Sequence, residues 1–60
     1  MSQENQIQFL ECKIQIQNFS TGGVYKIAQK FENEWAVNDN YSQPVKLNFK
    51  TLRENFVPAR

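Results

Sequence analysis

Leu10, Cys12, Ile14 and Ile16 alternate with Glu11, Lys13, Gln15 and Gln17. A period of two puts one set of side chains on one face of an extended chain, so this stretch predicts a half-buried strand. Helical spacing of three and four is not sustained there. Ile7 and Phe9 fall in the opposite phase, and the doublet Phe9-Leu10 marks a phase switch. Such a switch is either a bulge or strand start, or a place where apolar groups face outward. Residues 7–19 then read as one first strand, roughly twice the usual five or six residues. Residues 1–6 read as a flexible polar tail in front of a single domain over residues 7–60.

Ser20-Thr21-Gly22-Gly23 predicts a turn, because glycine reaches positive φ without steric cost. Residues 24–31 are again strand-like, with Tyr25 and Ile27 facing in and Lys26 and Lys30 facing out. Glu32-Asn33-Glu34 makes a polar hairpin connection. Trp35-Ala36-Val37 follows as a short strand with Trp35 and Val37 on one face, and Asn38-Asp39-Asn40 breaks it. After Pro44, the residues Val45, Leu47 and Phe49 alternate with Lys46, Asn48 and Lys50 as another half-buried strand. Residues 51–56 are too few for a stable helix, but one helical or 3₁₀ turn sets Leu52 and Phe56 on one side. Val57 can pair as a last short strand before Pro58.

Short strands separated by turns predict an all-β domain, and a chain this short closes more readily as a barrel than as a sandwich. The predicted inward set is Leu10, Cys12, Ile14, Ile16, Tyr25, Ile27, Trp35, Val37, Val45, Leu47, Phe49, Leu52 and Phe56. A 60-residue domain buries only about 60% of its unfolded surface, so stability is marginal. One cysteine rules out an intramolecular disulfide, and the absence of histidine removes the usual zinc sets. No metal or cofactor is expected, and Cys12 reads as a small buried hydrophobe. The N-terminus shows neither a secretory signal nor an apolar run of membrane length, which makes the cytoplasm the expected compartment.

The stretch Gly23-Val24-Tyr25-Lys26-Ile27, then Trp35-Ala36-Val37-Asn38-Asp39-Asn40, then residues 45–49 and Arg53-Glu54-Asn55-Phe56, resembles the SH3-like mini-barrels of small bacteriophage-encoded proteins. The resemblance covers about residues 12–58. It implies a five-stranded SH3-like barrel with one short 3₁₀ or helical turn near the C-terminus. It also implies a stand-alone inhibitor that occupies a surface of a host defence or transcription protein in the bacterial cytoplasm. One departure is the longer segment Asn40-Tyr41-Ser42-Gln43-Pro44 where those proteins carry a glycine.

Catalysis is not expected. There is no histidine to pair with a nucleophile, and Cys12 lies on the inward phase. Asp39 sits in a turn-forming tripeptide, and Glu32 and Glu34 belong to a solvated hairpin tip rather than a pocket that would raise a carboxyl pKa. Gly22-Gly23 is followed by no phosphate-loop lysine. Binding is the remaining function, with Phe9, Phe31 and Tyr41 as candidate partner anchors, since aromatics supply hot spots. Phe9 and Phe31 could equally cap the barrel ends. The alternative is a small nucleic-acid-associated accessory protein using Tyr41, Lys46, Lys50 and Arg53. A net charge of +1 with scattered cations makes that partner the weaker expectation. Self-association through the first strand is also expected, with Ile7 and Phe9 covered in a homodimer.

Overall fold

Gly22-Gly23, the polar residues 32–33 and the Asn-rich break near 38–40 each reverse the chain between apolar runs, and the runs pair antiparallel. The computed structural model describes residues 7–59; the tail expected over residues 1–6 lies outside them. Its elements are β1 (Phe9–Cys12), β2 (Val24–Lys30), β3 (Glu34–Asn38), β4 (Pro44–Asn48), α1 (Phe49–Asn55) and β5 (Phe56–Ala59). They form one five-stranded sheet in the order β4-β3-β2-β1-β5. The chain is therefore all-β with one short helix near its C-terminus. β2 pairs with β1 through residues 24–26 and with β3 through residues 27–30, and an irregularity between Ile27 and Gln29 lets it change neighbours.

The core holds Leu10, Cys12, Tyr25, Ile27, Val37, Leu47, Leu52 and Phe56, all predicted to face in. Ile16, Trp35 and Val45 pack against it half-buried. Cys12 is fully buried, and that burial pushes its thiol pKa up; its Sγ donates to the Ile14 carbonyl at 3.2 Å. A thiol so placed is held protonated and unreactive.

The long first strand needs correction. β1 stops at Cys12, because beyond it neither neighbour continues: β2 is preceded by the glycine turn and β5 by α1. Residues 13–19 instead fold back as a loop. The backbone N–H groups of Lys13 and Ile14 both donate to the Asn55 carbonyl, at 2.7 and 3.3 Å, and Phe19 N–H returns to Ile16 O at 2.8 Å. Gln17 takes a φ of 43°, which reverses the phase. Ile14, predicted inside, is 57% exposed, and Phe19, in the outward phase of the sequence reading, is completely buried. The Phe19 ring meets Tyr25 edge-on at 4.8 Å and Phe56 at 5.3 Å.

Phe49 is the second correction. Asn48 caps α1, its Oδ1 accepting the Thr51 N–H at 2.8 Å, so β4 ends at Asn48, two residues before the predicted alternation does. The start of the helix rotates Phe49 out of the strand phase, and it is 36% exposed rather than inward. Leu52 and Phe56, four apart, are both buried, and the Phe56 N–H closes the helix on Leu52 O.

Candidate functional site

Where β1 and β5 approach the start of β3 and α1, the side chains leave a groove of about 210 Å³. Leu10, Leu52 and Phe56 contribute buried apolar surface from the core, and Ile7, Trp35, Phe49 and Pro58 are its more exposed walls. Each is there for a local reason. Trp35 lies opposite Leu47 in the inward phase of β3. Phe49 is the first residue after the Asn48 cap, and its ring stands edge-on to Trp35 at 5.8 Å. Arg53, one turn later on the same side of α1, adds the charged group of the lining. Pro58 lies opposite Leu10 on β5.

Lys30 places its Nζ 4.8 Å from the centroid of Trp35, which occupies one face of the indole. Among the described residues Lys13 pairs with Glu11 at 3.1 Å and Lys46 with Glu34 at 3.9 Å. Arg53 thus has no carboxylate partner among them.

The candidate anchors do not gather into one surface. Phe9 is 41% exposed on the outer face of β1, between Lys26 of β2 and Ala59 of β5. Val24 and Val57 flank Glu11 on that same face. Phe31, 37% exposed, sits in the β2–β3 turn, with Lys46 Nζ 5.3 Å from its ring centroid. Tyr41, 71% exposed, is at the tip of the β3–β4 turn. Phe31 and Tyr41 are separated by the length of β3, about 17 Å at 3.3–3.4 Å per residue. Lys50 and Arg53 lie on α1, whereas Lys46 is engaged with Glu34 and Phe31 on β4. Of the predicted site residues, Ile7 and Arg53 come together in the groove. Trp35, assigned to the core by sequence, Phe49, misplaced by the strand alternation, and Pro58 complete it. The signal for Phe49 and Arg53 was the cap pattern of Asn48 with Thr51, which places both on one helix face.

The edge invoked for self-association is occupied, since β1 pairs with β2 on one side and β5 on the other. Ile7 packs partly buried against the core rather than facing outward. The free edges are those of β5 and β4. Lys13 N–H bonds Asn55 O, so by antiparallel alternation Val57 and Ala59 point their amides at β1 and Pro58 faces the open side. Phe56 N–H is already bonded to Leu52 O. The outer edge of β5 therefore offers no amide donor at 56 or 58. β4 begins with Pro44, and by the same alternation from the Asp39–Gln43 bond its outward amides are those of Lys46 and Asn48. Two copies paired about Lys46 would set like charges opposite one another.

Away from the groove, Asp39 is the one buried charged residue among the described residues, and it organises the end of the molecule that carries Tyr41. Its Oδ1 accepts the N–H groups of Tyr41 at 2.8 Å and Gln43 at 2.9 Å, and its Oδ2 accepts the Asn18 amide at 3.3 Å. Asn40 N–H donates to Asn18 O at 2.9 Å, joining the 38–44 turn to the 16–23 loop. The Gln43 N–H above all, then Tyr41 and Asn18, hold the Asp39 carboxyl below the usual carboxylate range, against the opposing pull of burial. A group whose folded pKa is depressed adds stability above its unfolded pKa, about 3.9, and loses it as pH falls through the folded value. Thermal melts of the parent and Asp39→Asn should therefore differ most near neutral pH. The gap should close below about pH 4, and a gap constant down to pH 2 would refute the assignment.

Metal-type clusters of three or more Cys, Asp or Glu side chains are absent among the described residues, as is any helix long and apolar enough to cross a membrane. Comparison with family models, with curated proteins and with solved structures gives no match to this chain.

Proposed function

We propose that the chain is a non-enzymatic protein-binding module of the SH3-like class and that it binds through the Trp35–Phe49–Arg53 groove. The strand order, with the helix inserted between β4 and β5, supports the SH3-like reading. The observation that carries the function is the groove itself. Its volume of about 210 Å³ lies below the roughly 300–1,000 Å³ of small-molecule sites. Its apolar walls suit side chains presented by another protein. A tryptophan, a second aromatic ring and an arginine are the residue types that concentrate binding energy at interfaces. The resemblance to phage-encoded inhibitors makes a host defence or transcription protein in the bacterial cytoplasm the class of partner. The nucleic-acid reading is weaker, because Tyr41, Lys46, Lys50 and Arg53 share no common surface.

Photocrosslinking from within cells tests the proposal. A benzoylphenylalanine in place of Phe49 should capture a specific protein, and the same group in place of Tyr41 should not. The adduct should form equally in nuclease-treated lysate. Capture at 41 but not 49, or adducts that vanish with nuclease, would sink the proposal.

A further inference from the structure

We propose that the groove recognises an acidic apolar segment of its protein partner, in which one bulky apolar side chain enters the groove and a nearby carboxylate pairs with Arg53. This deepens the binding reading above and rests on it. Three observations support it. Among the described residues the lining is apolar apart from Arg53, so it selects an apolar group and offers one ionic contact. Arg53 has no carboxylate partner among the described residues, and none of their acidic side chains lines the groove. A basic side chain from a partner would therefore meet only Arg53, whereas a carboxylate can form a two-pronged, charge-assisted contact with its guanidinium.

A strand-addition mode is disfavoured, because β5, the edge nearest the groove, presents no amide donor at 56 or 58. Side-chain insertion remains. Base stacking on Trp35 is disfavoured as well: Lys30 occupies one face, and Phe49 stands against the ring at 85°. The contact geometry thus favours a polypeptide over single-stranded nucleic acid.

The test uses the full chain and a displayed library of random twelve-residue peptides. Parallel selections use Arg53→Glu and a variant lacking residues 1–6. The parent should enrich peptides carrying a large apolar residue with Asp or Glu within three positions. A synthetic peptide from that pool should shift the Trp35 indole N–H resonance. Its Asp/Glu→Gln counterpart should bind at least about tenfold more weakly, a difference of about 1.4 kcal/mol. Arg53→Glu, on an exposed position that leaves the circular dichroism unchanged, should switch the enriched residue to Lys or Arg. Selected peptides without acidic bias, an unchanged preference in Arg53→Glu, or no enrichment at all would overturn the inference. So would binding confined to the variant lacking residues 1–6, which would make the chain's own N-terminus the occupant, or an oligothymidine shifting the same resonance more tightly than any peptide. Protein capture at position 49 together with unbiased peptides would defeat the acidic specificity and leave the binding function standing. Failure of capture at 49 would defeat the function itself.

Discussion

Phe19→Ala is expected to destabilise the domain by about 3–5 kcal/mol, the usual cost of deleting a buried aromatic side chain. Phe19 is among the fully buried side chains, and it is the ring that both Tyr25 and Phe56 meet edge-on. It thereby joins β2, β5 and the 13–19 loop at one point. A 60-residue domain has a total stability of about 3–9 kcal/mol at 0.05–0.15 kcal/mol per residue, so the variant should be largely unfolded at room temperature. Urea titration followed by circular dichroism reads this directly. Ile14→Ala is the paired control. Its side chain is mostly in solvent, and the change should stay within about 0.5 kcal/mol. A single long first strand demands the reverse ranking, with Ile14 costly and Phe19 near neutral. The two melts therefore decide between a loop that folds into the core and a strand that continues to residue 19.

The contrast between Ile14 and Phe19 shows where the sequence is legible and where it is not. Alternation identified the inward residues of β2 and β4, where each strand had a neighbour to pair with, but in β3 it left out Ala36, which is buried beside Val37. Tyr25 and Ile27 on β2 and Val45 and Leu47 on β4 follow it. Alternation says nothing about where pairing stops. The apolar phase at 10, 12, 14 and 16 continues past Cys12, but the partner strands do not, and a turn with Gln17 at positive φ swaps the phase. Phe49 went wrong for the same reason. The Asn48 side chain ends the strand by capping a helix, a local contact that outweighs the period-two pattern. Asp39 was correctly read as a turn residue, yet it is buried and also accepts the side-chain amide of Asn18, 21 residues away, and no local pattern carries that.

These same failures explain why the candidate site was only partly visible. The groove depends on Phe49 leaving the strand phase and on Ile7 turning inward beside Leu10. Both are departures from alternation. Sequence reasoning favoured exposed aromatics as anchors, but exposure alone scatters Phe9, Phe31 and Tyr41 over separate parts of the sheet. Convergence requires a concave place where apolar side chains remain partly uncovered. Here the chain passes from β4 to β5 through a two-turn helix rather than a hairpin. The break in regular pairing leaves core residues Leu10, Leu52 and Phe56 accessible from the groove.

Gly23→Ala should cost about 2–4 kcal/mol in all, through space rather than backbone strain. A Cβ on Gly23 would lie 2.6 Å from the Tyr25 hydroxyl and 2.9 Å from two of its ring carbons. The ring cannot move aside cheaply. It is buried, Phe19 meets it edge-on, and its hydroxyl accepts the Ser20 N–H at 2.7 Å and donates to Asn40 Oδ1 at 2.6 Å. Gly23 is fixed as well, because its N–H donates to Ser20 O and its carbonyl accepts the Cys12 N–H. The added methyl must therefore displace the hydroxyl and break the link between the 20–23 turn and the 39–43 turn. Tyr25→Phe alone removes those two bonds, at about 0.5–1.5 kcal/mol each, and relieves the closest contact. Gly23→Ala should then cost less in the Tyr25→Phe background than in the parent, with a coupling energy of about 0.5–3 kcal/mol in a double-mutant cycle. Strict additivity of the two changes would mean that the methyl is accommodated elsewhere and that the Tyr25 hydroxyl does not join the two turns.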